Sequence, residues 1–504
     1  MKKNQALKTI AKSAGIVFAG MIISKFLTYL YRMIIARYLG AESYGVLSLG
    51  FAILGIVTSL SSLGLASGVT RYVSYYIGKE DPSKIKGTIT STLKMIVPTT
   101  VIFGILLFIF SEILSIKLFN NPQLTPILKI FSFLVPVVVI GFVFEKVIDA
   151  FKRINYRVYI RNIWESALQV SLTLIILLLG FKINAVAVAY LITIIISAIL
   201  LGIIVEIKIF PLFRSNIIST KLYKELLSYS WPLIFVSFFQ SVTNYVDSLF
   251  IGAFISAYFV GLYNVALPTA MLILIMPTAL TSLFVPVTAE MYARNNKNLI
   301  HMAYKNICRW TVMSNLPICL LLIFFSSTIL RMLFGNEYMA AGTAMIILAI
   351  GYFIYSLFFS SVYLIQAFKR TKLIFANTVI ALIINIILNI TLIPAYGING
   401  AAAATAVSFS ILGILAAIQV YLNHNMQPLS IEILKLFFAG ATAILSLKLL
   451  SRYILTGDII LNLSIKLCIF IGIYVLMLFL LRCFQKEDKV IFQAFLKKIG
   501  LRWR

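Results

Sequence analysis

Apolar residues in this chain fall in long blocks rather than in the two-residue alternation of strands. Fourteen blocks are long enough to cross a hydrocarbon layer, which takes about 20 residues of α-helix: 11–36, 43–66, 89–113, 124–149, 158–180, 184–205, 227–251, 258–288, 306–328, 341–366, 373–394, 399–421, 431–451 and 460–482. Within hydrocarbon a segment must satisfy its own backbone N–H and C=O groups, so each block is predicted to be helical. The gaps are short, the longest about twenty residues, and hold no soluble domain. The pattern predicts an all-α polytopic membrane protein with 14 transmembrane helices.

The pattern also repeats. Ala150-Phe151-Lys152-Arg153 recurs as Ala367-Phe368-Lys369-Arg370, 217 residues on. INAVAVAYLI from Ile183 returns as INGAAAATAV from Ile398 at an offset of 215, and YLGAESYGVLSLGFAI from Tyr38 as FISAYFVGLYNVALPTA from Phe254 at 216. Matches at nearly one offset predict two six-helix lobes, residues 1–210 and 222–425. Each holds an even number of spans, so the lobes are expected to be related by an axis along the membrane normal, with substrate held between them. Two additional helices (431–482) and a basic tail (483–504) lie outside the repeat. The tail mixes Lys and Arg with Val, Ile, Phe, Leu and Trp at helical spacing over 486–504, which suits an amphipathic helix on an anionic leaflet or a disordered basic extension. Gly400, Ala401, Ala402, Ala403, Ala404 and Ala406 are expected to let helices approach closely.

Composition agrees with the membrane reading. The chain is 61% hydrophobic and 12% charged, against about 25% charged in soluble domains. Its net charge of +27 would suggest nucleic acid in a soluble protein, but here the cations cluster in the gaps between apolar blocks. With the N-terminus in the cytoplasm, 31 of the 43 lysines and arginines fall in inside loops and seven in outside loops. That asymmetry places both termini in the cytoplasm and argues for a cytoplasmic-type membrane rather than nucleic acid. The apolar block after the basic MKKNQALKTIAK is too long for a signal-peptide core, so the first helix is expected to stay in the mature protein. Four cysteines and two histidines lack metal-ligand spacing, and no phosphate loop, HExxH or Ser-His-Asp set is present. Neither enzymatic chemistry, a metal nor a cofactor is expected.

Ionisable residues inside spans are costly and so mark candidate sites. Lys25 lies near the middle of the first block, with Thr28 and Arg32 on the same helical face. The seventh block carries a matching stripe of Ser237, Gln240, Ser241, Asn244, Asp247 and Ser248. Lys and Arg suit a phosphorylated head, while Asn, Gln and Ser suit sugar hydroxyls. An ion pair of Lys25 or Arg32 with Asp247, locking a closed state, is the competing reading. Arg71 could meet a phosphate at the inner mouth or a lipid headgroup. Glu145, Asp149 and Arg153 are spaced for pairing along one helix, as are Arg161 and Glu165, and both sets are expected to be structural.

YLGAESYGVLSLGFAI, GLASGVTRYVSYY, LFGNEYMAAGTAMIILAIGYF and NIILNITLIPAYGINGAAAATAVS lie within about residues 10–425. They resemble the polysaccharide-transporter branch of the multidrug/oligosaccharidyl-lipid/polysaccharide exporter superfamily. The resemblance implies alternating access and a flippase for lipid-linked, polyprenyl-phosphate-type oligosaccharides, with cations in the first lobe's cavity. Lys25, Arg32 and Arg71 match those cations by type and location. It implies the lipid-linked oligosaccharide and membrane lipids as partners, glycan-assembly enzymes as further candidates, and a monomer. A peptidoglycan lipid-precursor flippase and a cation-coupled multidrug antiporter are the alternatives. The drug-exporting branch tends to carry an acidic residue on an early helix, where this chain has Lys25 and no carboxylate.

Topology is testable with single cysteines and an impermeant thiol reagent on intact cells. Cysteines replacing Lys84, Arg157, Lys221 or Lys297 are expected to stay unlabelled, and one replacing Glu337 to react. Labelling at any two of the first four contradicts the fourteen-span arrangement.

Overall fold

The computed structural model describes residues 2–214, 216–294, 296–428, 431–450 and 459–485. The expected amphipathic tail at 486–504 lies outside them. In chain order the helices are α1 (Lys2–Ser61), α2 (Leu65–Gly78), α3 (Pro82–Glu112), α4 (Leu124–Ala150), α5 (Ile154–Arg157), α6 (Glu165–Leu178), α7 (Ile183–Ile204), α8 (Tyr223–Phe254), α9 (Ala257–Ala270) and α10 (Ile275–Ala293). There follow α11 (Lys297–Phe324), α12 (Ser326–Phe334), α13 (Gly342–Ala367), α14 (Thr371–Tyr396), α15 (Ile398–His424), α16 (Glu432–Leu450) and α17 (Ile459–Leu480). Wider π-helical turns extend α3 and α7 and join α5 to α6. No strand occurs among the described residues, and twelve of their helical stretches are long and apolar enough to cross a membrane.

Two differences from the apolar pattern stand out. The first two blocks are one helical stretch, interrupted at Gly40 alone, where φ is 77° and ψ is 174°. That backbone conformation is open to glycine and closed to most L-residues. The second block ends at Ser61 rather than at 66, and Leu63 and Gly64, both at positive φ, redirect the chain into α2. Arg71, expected in a loop, therefore sits on a helix.

Packing divides the chain into two compact units. One comprises Met1–Val265, Leu333–Tyr338 and Asn389–Ile398; the other comprises Ala266–Met332, Met339–Leu388 and Asn399–Arg504. In the first unit α4 is central: Phe131, Leu134, Val135, Val139, Val143 and Val147 are buried on several faces. Leu65, Val69 and Val73 of α2, Ile85, Ile89 and Ile96 of α3 and Leu201 of α7 join the same core. The outer face of α3 instead exposes Val101, Ile102, Ile105 and Ile109, a surface that only lipid covers without cost. In the second unit Tyr304, Ile307, Leu364, Ile365, Phe368 and Val420 share a core across α11, α13 and α15. The small-residue run does what its composition suggests: Ala401, Ala402 and Ala404 are fully buried, and a Cβ at Gly351 of α13 would strike Ala406.

The repeat is visible in local geometry. Lys152 and Lys369 both adopt φ of 59°, the left-handed conformation that ends a helix. Around each, the same hydrogen bonds close the end. Lys152 N donates to Asp149 O at 3.0 Å and Arg153 N to Ile148 O at 3.1 Å; Lys369 N donates to Gln366 O and Arg370 N to Ile365 O, both at 3.0 Å. The next helix begins at once, at Ile154 and at Thr371.

Where α1 resumes after Gly40 it packs backbone to backbone on α9. A Cβ at Gly45 would collide with Ala257 O, and one at Gly261 with Ala41 O. Gly45→Leu and Gly261→Leu should each destabilise the protein by about 1–3 kcal/mol, read as a lower thermal midpoint in detergent. Gly78→Ala, where a Cβ meets no atom within 4 Å, serves as the control.

Candidate functional site

The first unit holds a partly open cavity of about 330 Å³ with a mixed polar and apolar lining. Both arms of α1 line it: Thr28, Tyr31 and Arg32 from before Gly40, and Tyr44, Ser48, Leu54 and Thr58 from after it. Across the cavity stand Glu165 and Gln169 of α6, Tyr190 of α7, Tyr245 of α8 and Asn264 of α9. The helical period explains the lining, because Tyr44, Ser48, Gly55 and Thr58 share one face, as do Glu165 and Gln169 one turn apart.

Arg32 supplies the cavity's cation. Its guanidinium lies beside the Tyr44 and Tyr245 hydroxyls, and among the described residues it forms no ion pair. A guanidinium presents five N–H donors in a planar fork that matches phosphate or carboxylate oxygens two at a time. Tyr44 donates to Asn264 O at 3.3 Å, and Asn264 Nδ2 donates to Ser248 Oγ at 2.9 Å and to Val260 O at 3.0 Å. Asn264 is therefore held from both sides.

The opposite wall carries a braced carboxylate. Arg161 Nη1 donates to Glu165 Oε2 at 2.5 Å, while its Nε lies 3.0 Å from Glu145 Oε1. Arg157 Nε lies 3.0 Å from Asp149 Oδ1, and Lys146 Nζ lies 3.8 Å from Asp149 Oδ2. The Arg161–Glu165 pair is as expected from its spacing. Glu145 and Asp149 differ from expectation: each reaches from α4 to an arginine on the following helical run, Arg161 and Arg157, and neither pairs with Arg153, although Asp149 also meets Lys146 on its own helix. Glu145 is buried, and buried charges need partners at close range. In this cluster three carboxylates, Glu145, Asp149 and Glu165, meet three cations, Lys146, Arg157 and Arg161, whereas Arg32 across the cavity is not among them.

The other sequence-derived residues are more scattered. Lys25 is exposed on α1, two turns before Arg32 and about 10 Å away along the axis, and does not line the cavity. Gln240 and Asn244 are exposed on α8. Asp247 turns away from them and is buried; its carboxylate accepts from Tyr263 Oη at 2.6 Å and Asn389 Nδ2 at 2.8 Å. Neither Lys25 nor Arg32 forms the ion pair with Asp247 that the sequence left open. Arg71 stacks over Tyr229, 4.2 Å from the ring centroid, and lies 5.8 Å from that of Tyr72. The cavity tyrosines, Gln169 and Asn264 went unnoticed in the sequence, and Glu165 was expected to be structural only. Tyrosine is common in spans and carries no signal alone, and Glu165 reads as half of a local pair.

Known proteins with the same pattern place the chain. The sequence profile of the polysaccharide biosynthesis protein family matches residues 10–292, more than half the chain, and the MatE profile matches residues 232–391. An uncharacterized membrane protein of Methanocaldococcus jannaschii is 23% identical over 469 residues, 90% of this chain and 92% of that one. Agl15 of Haloferax volcanii, a probable low-salt glycan biosynthesis flippase, is 31% identical over 132 residues, covering 26% of this chain and 28% of that one. The fold is similar to the lipid II flippase MurJ in an inward closed conformation, with a TM-score of 0.74, 16% identity, and 96% and 99% of the two chains covered. This chain belongs to the polysaccharide biosynthesis protein family, multi-pass membrane transport proteins of the multidrug/oligosaccharidyl-lipid/polysaccharide exporter superfamily.

Proposed function

We propose that this protein is a flippase that moves a lipid-linked, polyprenyl-phosphate-type oligosaccharide across the cytoplasmic membrane by alternating access. The observation that carries the proposal is the cavity: Arg32, which forms no ion pair among the described residues, sits with tyrosine, amide and hydroxyl side chains. A head that crosses hydrocarbon must exchange water for protein donors and acceptors. Arg32 takes a phosphate oxygen pair, Lys25 and Arg71 add positive charge on the approach, and Tyr44, Thr28, Gln169 and Asn264 take sugar hydroxyls. Gln240 and Asn244 lie on the exposed face of α8, available to sugar hydroxyls beyond the cavity. Asp247 braces α8 through Tyr263 and Asn389. The polyprenyl tail stays in lipid.

The proposal includes fourteen crossings and cytoplasmic termini. Gly20–Ser61 would extend about 63 Å as one straight helix, twice a hydrocarbon thickness of about 30 Å, so its break at Gly40 makes two spans. The continuous helical run Ile154–Leu178 supplies another beyond the twelve. The even repeat then relates two six-helix lobes, with two further helices after them.

Translocation of a polyprenyl-diphosphate-linked sugar in reconstituted vesicles tests the function. Arg32→Ala should slow it about 10- to 100-fold, the effect of losing charged hydrogen bonds worth about 1.5–3 kcal/mol, and Arg32→Lys should keep part of the rate. Undiminished transport by a stably inserted Arg32→Ala protein contradicts the proposal. Transport of organic cations in place of glycolipid favours the antiporter, and preference for a peptide-bearing head favours the peptidoglycan-precursor reading.

Asp247 is separable from Arg32 in the same vesicles. Asp247→Asn sets an amide against the Tyr263 and Asn389 donors and should cost about 1–3 kcal/mol of stability. Glycolipid binding should be unchanged, checked by thermal unfolding alongside a binding titration.

A further inference from the structure

We propose that Leu333–Tyr338 is a latch that holds the break in α1, and so keeps the cavity closed on the face that bears this segment. The two arms of α1 line the cavity from either side of Gly40, so the angle at the break sets the cavity's shape. A helix break leaves orphan groups: carbonyls at the end of the first arm and N–H groups at the start of the second. Consecutive residues from about 300 positions later satisfy one of each. Tyr338 Oη donates to Ala36 O at 3.0 Å, and Ala41 N donates to Glu337 Oε2 at 3.0 Å. A third anchor is aromatic, with Phe334 edge-on to Tyr29 of the first arm, ring centroids 5.7 Å apart. The segment thus grips both arms at once.

The chemistry suits a contact that must hold and then release. Tyr338 and Phe334 are buried, which fixes the segment in place. Glu337 is exposed, so water competes for its carboxylate, and its negative charge at a helix start gains only modestly. Gly40 is free to change its φ and ψ once the two hydrogen bonds part. The residues flanking the latch on both sides, Met332 and Met339, belong to the second compact unit, so the segment is joined to that unit by the chain at both ends. Gly45 and Gly261 add a close backbone contact beside the break.

The test needs no substrate, so its failure is distinct from failure of the glycolipid reading. A single cysteine at Thr58, in the cavity, is placed in a background with Cys308, Cys319, Cys468 and Cys483 replaced by serine. Alkylation by a charged, impermeant maleimide is measured from each face of sealed vesicles. A cysteine at the exposed Asn336 identifies the latch face. Glu337→Ala and Tyr338→Phe should each raise labelling of the Thr58 cysteine from that face about tenfold, the population shift expected from losing one such hydrogen bond. Glu337→Gln keeps an acceptor oxygen for Ala41 N–H and should label at the original rate. Unchanged labelling in both Glu337→Ala and Tyr338→Phe, or an equal rise from both faces, overturns the latch.

Discussion

Hydrocarbon offers no water to a backbone amide or to a charge, and the structure follows from that constraint. It makes every span a helix and requires each helix end to find partners. The matching left-handed ends at Lys152 and Lys369 are one solution, used twice. Side chains obey the same rule. Glu145 and Asp149 reach across to Arg161 and Arg157, and Asp247 takes hydrogen bonds from Tyr263 and Asn389. Against that background Arg32 is informative: among the described residues it forms no ion pair, and it lines a cavity together with tyrosine, amide and hydroxyl side chains.

The break at Gly40 links this local chemistry to movement. It divides a long helix into two arms, and both arms contribute polar side chains to one cavity. Orphan groups at the break are then capped by a distant segment. A transporter of a polar head needs a site strong enough to replace water and a boundary weak enough to part. One guanidinium among hydroxyls and amides meets the first need. A capped glycine break, held by few hydrogen bonds, meets the second.

Much of this was legible in the residues alone. The apolar blocks outline helices found in the structure, because helix length in hydrocarbon follows from its thickness. The Ala-Phe-Lys-Arg repeat falls at two equivalent helix ends, since the same local sequence forms the same hydrogen bonds. Within the candidate site, spacing placed Thr28 and Arg32 on one face, and both line the cavity. Lys25 shared their stripe but lies beyond the lining, because a stripe gives direction and not depth. Spacing also suggested that Asp247 joined Gln240 and Asn244, yet one further turn carries its carboxylate into a buried network that includes Asn389, 142 residues away. Glu165 was hidden by its own neighbour: a pair at i and i+4 explains itself and gives no hint of a third partner such as Glu145. The role of Glu337 and Tyr338 was equally invisible, since nothing local ties them to Gly40.

The central claim is that the cavity beside Arg32 receives an anionic, sugar-bearing head. Alkylation of a cysteine at Thr28 measures this directly, in sealed vesicles with and without a polyprenyl-diphosphate-linked sugar. The account predicts that the glycolipid protects this cysteine and that protection disappears when Arg32 is replaced by alanine. Equal alkylation with and without glycolipid, or protection that persists without Arg32, would contradict it.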